Sequence, residues 1–164
     1  MLLLVSDANI LIDVEHGDLV APMFSLSYRF AVPDVLYYEE LEEQHAYLLD
    51  IGLQMHSLPA VRVERVQALS RTYTRAGRND LFALVLAEAE RCPLLTGDAA
   101  LRRAAEAENI EVRGTVWLIA EMVREQRITV GVARAALHRM RSGGRRLPWD
   151  AADRMLADFE RGAS

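Results

Sequence analysis

LLLVSDANILID, residues 2–13, is the stretch whose reading decides the fold. Leu2 to Val5 form a continuous apolar run closed by Ser6, the pattern of a strand buried on both faces and not of one that alternates. Asp7 ends the run, and Ala8 to about Glu15 continue as a helix until Gly17. A buried strand running straight into a helix is how a parallel α/β sheet begins. Asp7 then lies at the carboxyl end of the strand, where such sheets bind their ligands.

The rest of the chain extends this alternation. Leu19–Leu26 read as a short helix, and Tyr28–Val32 as a second strand stopped by Pro33. Pro33 also suits the first turn of a long helix, Asp34 to about Asp50. Leu53–Leu58 alternate as a third strand, and Val61–Tyr73 have helical spacing. Arg75–Arg78 form a basic loop around Gly77, ahead of an apolar helix from Asp80 to about Arg91. Leu94–Thr96 and Glu111–Arg113 are short fourth and fifth strands flanking a helix from Asp98 to Glu108. Thr115–Gln126, Val130–Arg141 and Trp149–Glu160 are further helices, the last two separated by Gly143 and Gly144. The prediction is a three-layer α/β fold around a central, mostly parallel sheet of about five strands. Residues 1–125 would form the main domain, and residues 126–164 a helical extension packed on it.

Length and composition bound the function. The chain has 164 residues, 51% hydrophobic and 26% charged, which suits one globular domain. No apolar run approaches the roughly 18 residues of a membrane span. The start lacks a basic segment and reads as a buried strand, not a signal peptide. Cys92 is the only cysteine, so no intramolecular disulfide is possible and a cytoplasmic setting is expected. A net charge of −5 argues against a broad polyanion binder, while leaving room for local basic patches. All 19 basic residues are arginine. Arginine suits bidentate phosphate contacts, but a total absence of lysine reads first as genome-wide base composition.

Four carboxylates fall where the sheet would gather them. Asp7 follows the first strand, Asp98 follows the fourth in LLTGD, Glu40 lies in the helix after the second, and Asp80 opens the helix before LLTGD. Such a cluster repels itself unless a cation sits in it, and hard ions such as Mg²⁺ and Mn²⁺ prefer oxygen donors. A bound ion can activate water and orient a phosphate, which is phosphodiester hydrolysis chemistry. Each residue also has an ordinary reading. The three aspartates stand at helix N-termini, where they would cap, and Glu40 belongs to EELEE, a candidate solvated face. His16, His45, His56 and His138 show no metal-ligand spacing.

Taken in order, LLLVSDANILID, VPDVLYYEEL, NDLFALVLAEAE and LLTGDAALRRAA resemble the PIN-domain family over about residues 1–125. The stretch IEVRGTVWLIAEMVREQRI is similar to a bacterial, VapC-like subgroup with a Gly-Thr pair after the last strand. That subgroup usually has Gly-Glu where this chain has Asn79-Asp80, a carboxylate one methylene shorter. The resemblance implies a Mg²⁺- or Mn²⁺-dependent endoribonuclease whose ion is held by Asp7, Glu40, Asp80 and Asp98, with Glu39 competing for the place of Glu40. Thr96 would support the site, Ser6 or Asn9 would orient Asp7, and Asp13 would be structural. Arg102 matches an arginine of the subgroup and could hold a phosphate, and Arg75 and Arg78 could guide RNA toward Asp80. Implied partners are an RNA substrate and, if the chain is the toxin of a toxin–antitoxin pair, an antitoxin protein. The apolar stripe Trp117, Leu118, Met122 and Val123 reads first as core packing and otherwise as a surface for the antitoxin or for a second copy of the chain in a homodimer. Two rivals stand beside this. One is a non-catalytic module binding RNA or protein. The other is a phosphatase-like hydrolase using Asp7, although Asn9 stands where such enzymes place a second aspartate.

Overall fold

The LLLVS run forms β1 (Leu2–Ser6), the middle strand of a five-stranded, fully parallel sheet. The computed structural model describes residues 1–162. The strand order is β3-β2-β1-β4-β5, with β2 at Tyr28–Pro33, β3 at Gln54–His56, β4 at Leu94–Leu95 and β5 at Val112–Arg113. β1 pairs with β2 from Leu2↔Tyr28 to Val5↔Ala31, and with β4 at Val5↔Leu94 and Ser6↔Leu95. Leu4 and Val5 are fully buried, as a central parallel strand requires. The chain winds outward through β2 and β3, then returns to the other side of β1 for β4 and β5. The order therefore reverses between β1 and β4, which opens a crevice at their carboxyl ends.

Helices cover both faces. α7 (Arg78–Glu90) lies against β1, β2 and β4, with α6 (Ala60–Thr72) and α8 (Ala99–Ala107) beside it. Leu81 to Ala87 are all buried, because α7 touches the sheet on one side and helices on the other. Arg65 of α6 ties this layer together by reaching Glu88 of α7 and Glu108 just past α8. The other layer holds α1 (Ala8–His16), α2 (Val20–Phe24), α9 (Thr115–Arg124), α10 (Val130–Ser142) and α11 (Trp149–Gly162). α10 packs on α1 and α9, and α11 on α9 and α10.

The expected long helix after β2 is the main departure from the sequence reading. It is broken into α3 (Asp34–Leu36), a π-helical turn at Tyr37–Leu41, α4 (Glu42–His45) and α5 (Tyr47–Asp50). A π turn widens the hydrogen-bond ladder by one residue and is frequent at functional sites. Here it carries Glu39 and Glu40.

The Gly143–Gly144 break is a built turn. Gly144 has φ +81°, where a side chain is strained, and a Cβ on Gly143 would stand 2.7 Å from His16 Nδ1 and 3.2 Å from the Arg139 carbonyl oxygen. Gly143→Ala is expected to destabilise the protein by about 1 kcal/mol, seen as a lower urea midpoint at unchanged slope. An unchanged midpoint would mean the turn yields freely.

Candidate active site

At the carboxyl end of β1 the backbone N–H of Asp7 donates to the Leu95 carbonyl, so the strand pairing continues into the site. The Asp7 carboxylate is 1% exposed and each of its oxygens is engaged. Oδ1 accepts from Ile10 N–H at 3.0 Å, capping α1, and Oδ2 accepts from the Thr96 hydroxyl at 2.6 Å. Thr96 Oγ1 in turn accepts from the Asp98 backbone N–H at 3.0 Å. A single hydroxyl thus couples the ends of β1 and β4 across the crevice. Asp98 caps α8 through Oδ2, which accepts from Leu101 N–H at 2.8 Å.

Asp80 sits differently. α7 starts at Arg78 after Gly77, so Asp80 lies inside the first turn and is not the capping residue. Its carboxylate accepts no hydrogen bond among the described residues. Burial, together with the neighbouring carboxylates of Asp7, Asp98 and Glu40, pushes its pKa up to about 7. Asp7 is pushed up to about 6, chiefly by burial, against the opposing pull of the Thr96 and Ile10 hydrogen bonds. The influence of the other three carboxylates on Asp80 places all four in one electrostatic neighbourhood.

Glu40 joins from the π turn. Its Oε2 accepts from Asn79 Nδ2 at 3.0 Å, while Asn79 Oδ1 is buried without a partner among the described residues. Glu39 faces another way, with Arg78 3.9 Å from its carboxylate. Arg78 also lies over the Phe82 ring, 4.8 Å from its centre. Arg75 lines a separate cavity of about 220 Å³ with Ala100 and Arg103. Arg102 extends from α8 toward the Thr96 carbonyl, 3.5 Å away.

Ser6 and Asn9 do not reach the Asp7 carboxylate. The Ser6 hydroxyl donates to the Asp7 carbonyl, and the Asn9 side-chain oxygen accepts from Arg145. Thr96 fills the orienting role instead. Asp13, 6% exposed, accepts from the Thr115 hydroxyl at 2.8 Å and from Arg145 Nε at 2.6 Å. Arg145 follows the glycine pair, and nothing in its local sequence marks it as reaching α1. The signal lay in its partner, a buried-face aspartate in a helix that had to be neutralised.

The donor set fits a hard divalent cation in kind. It is all oxygen, the carboxylates of Asp7, Asp98 and Glu40 raise the pKa of Asp80, and Asn79 Oδ1 is a buried acceptor lacking a donor among the described residues. Among the described residues no three of the acidic or histidine side chains already close around one point. Thr96→Val should lower any metal-dependent activity roughly ten- to a hundredfold and raise the Asp7 pKa further, because the hydroxyl stabilises the charged form. An Asp7 titration followed by NMR checks the second effect, and an unmoved pKa would remove Thr96 from the site.

A family model described as PIN domain matches residues 3–161. Among solved structures, the chain is similar to a PilT N-terminus domain protein from the archaeon Sulfolobus solfataricus P2. The identity is 12% and the TM-score 0.49, over 75% of this chain and 94% of that one. It is also similar to VapBC2 from Rickettsia felis bound to a DNA fragment from the promoter, with 18% identity and a TM-score of 0.47 over 69% and 98% of the two chains. No curated protein matches the sequence. No helix among the described residues is long and apolar enough to cross a membrane.

Proposed function

The chain belongs to the PIN-domain family, whose members are generally nucleases, and on that premise we propose that it is a divalent-metal-dependent endoribonuclease. The observation that carries this is Asp80, a half-buried carboxylate without a hydrogen-bond donor, set among three others. A carboxylate kept only for folding would be paired or capped. In this reading Asp7, Glu40, Asp80 and Asp98 hold Mg²⁺ or Mn²⁺, which when bound supplies an activated water and charge neutralisation at the phosphate. Thr96 fixes Asp7 and Asp98 relative to each other. Arg102 binds phosphate at the crevice, and Arg75 and Arg78 steer the RNA backbone toward Asp80. Residues 1–125 form the nuclease domain and residues 126–164 its helical extension, the last two of which lie outside the described residues. The biological role is that of the toxin in a toxin–antitoxin pair, acting in the cytoplasm as a homodimer.

Asp7 as a covalent nucleophile is disfavoured, since it is 1% exposed with each oxygen engaged. The test is cleavage of single-stranded RNA with Mn²⁺, repeated with EDTA and with Asp98→Asn. Cleavage lost in both controls supports the reading, whereas cleavage that persists in the variant overturns it. A binding module would give no cleavage at all, and a phospho-aspartate trapped at Asp7 would favour the phosphatase-like rival.

A further inference from the structure

We propose that the groove beside the carboxylates is a nucleotide subsite, gripped by Arg102 of α8 and by Arg146 from the turn between α10 and α11. The proposal rests on the ribonuclease reading for the identity of the strand that fills it. Two cavities meet at Gly97. The first, about 310 Å³, is bounded by Asn9, Asp98 and Arg145, and the second, about 480 Å³, by Arg102, Thr115, Trp117 and Leu147. Gly97 and Arg146 line both. A Cβ on Gly97 would meet nothing within 4 Å, so the divide between them is low. The result is one groove leading away from Asp98 toward Trp117.

Its charge runs against that of the whole chain. Asp13 also lines both cavities, but its carboxylate is met by Arg145 at 2.6 Å. Arg146 makes no ion pair or hydrogen bond among the described residues. Among the described residues Arg102 makes only long polar contacts, 3.5 Å to the Thr96 carbonyl and 3.8 Å to Glu106. Two weakly engaged guanidinium groups on one groove, in a chain of net charge −5, form a local anion trap. Guanidinium geometry matches phosphate oxygens. Beyond the arginines, Trp117, Leu147 and Pro148 give an apolar wall suited to a sugar and base, and a cavity of several hundred Å³ has room for one nucleotide. The turn is also held in place. Arg145 is bonded to Asp13 and Asn9, and Gly143 is seated against His16, so Arg146 is presented by a fixed backbone. A nucleotide here would lie next to the one whose phosphate reaches Asp98.

The chain has two tryptophans, so Trp149→Phe leaves Trp117 as the sole indole reporter. Titrating this protein with 5′-AMP in EDTA should give a saturable fluorescence change, and adenosine should not. Arg146→Ala should weaken 5′-AMP binding about tenfold, the loss of one charged hydrogen bond. The fold is unaffected because Arg146 is exposed, and circular dichroism verifies this. Equilibrium dialysis of labelled 5′-AMP against the chain with Trp149 intact repeats the measurement should the tryptophan variant fold poorly. Absence of saturable binding, or equal affinity in Arg146→Ala, overturns the subsite. Neither measurement needs metal or turnover. A protein that cleaves RNA yet binds 5′-AMP without regard to Arg146 loses the subsite alone. One that binds through Arg146 yet never cleaves loses the ribonuclease reading alone.

Discussion

Asp7→Asn is expected to reduce RNA cleavage by roughly a hundredfold or more while making the metal-free protein more stable at neutral pH. The two effects share one cause. Burial holds the Asp7 pKa near 6 against an unfolded value of 3.8. Its charged form is therefore disfavoured by folding, and the penalty is absent below about pH 4, grows between pH 4 and 6, and is complete above about pH 6. Roughly two pKa units correspond to about 3 kcal/mol as an upper figure. Asparagine keeps the acceptor for Ile10 N–H, but its amide must donate to Thr96 Oγ1 and leaves the buried Thr96 hydroxyl proton without its acceptor, so the relief is offset in part. In EDTA at pH 8 the melting temperature should rise on the order of 5 °C, and at pH 4 the gain should vanish. With saturating Mn²⁺ the ordering should reverse, because the wild type alone gains its full binding energy from the ion. A variant no more stable than wild type in EDTA at pH 8 would mean that Asp7 carries no such strain.

How much of this was legible in the sequence follows from which forces are local. β1 and α1 read correctly because a continuous apolar run and a helical period are local signals, and Asp7 falls between them. In sequence, capping and a place in the site compete as readings of Asp7 and Asp98, yet in the structure both residues cap and capping does not exclude a site. A carboxylate has two oxygens, and Asp98 caps with one of them. For Asp80 the capping reading failed, because α7 begins two residues earlier than its apolar pattern, at Arg78. The π turn under Glu40 was not legible. It buries Tyr37 and Leu41 at its two ends, and no residue in YYEEL announces it. Nor was the placing of Arg145, since a residue 132 positions from Asp13 meets it only once α10 has docked on α1.

Asp13→Ala is expected to be the most destabilising single change outside the apolar core. It would remove the carboxylate partner of Arg145, which keeps only its longer contacts to Asn9, and the acceptor of the buried Thr115 hydroxyl at once, in the seam where α1, α9 and the turn after α10 meet. Removing the acid of this largely buried ion pair, together with the Thr115 acceptor, costs at most about 3 kcal/mol, which lowers the melting temperature by up to roughly 6–12 °C for a chain of this size. Asp13→Asn should cost clearly less, because the amide can still accept from Arg145 and donate to Thr115. The ordering of the two variants separates hydrogen bonding from charge. If alanine and asparagine destabilise equally, the charge itself carries the seam; if neither moves the melting temperature by more than a degree or two, the network is a surface ornament. The seam also reaches the groove. With Arg145 held by Asn9 alone, the turn that presents Arg146 is less firmly anchored, so Asp13→Ala should weaken 5′-AMP binding even at temperatures where the protein remains folded. Asp13→Asn, which keeps the anchor, should bind as wild type does.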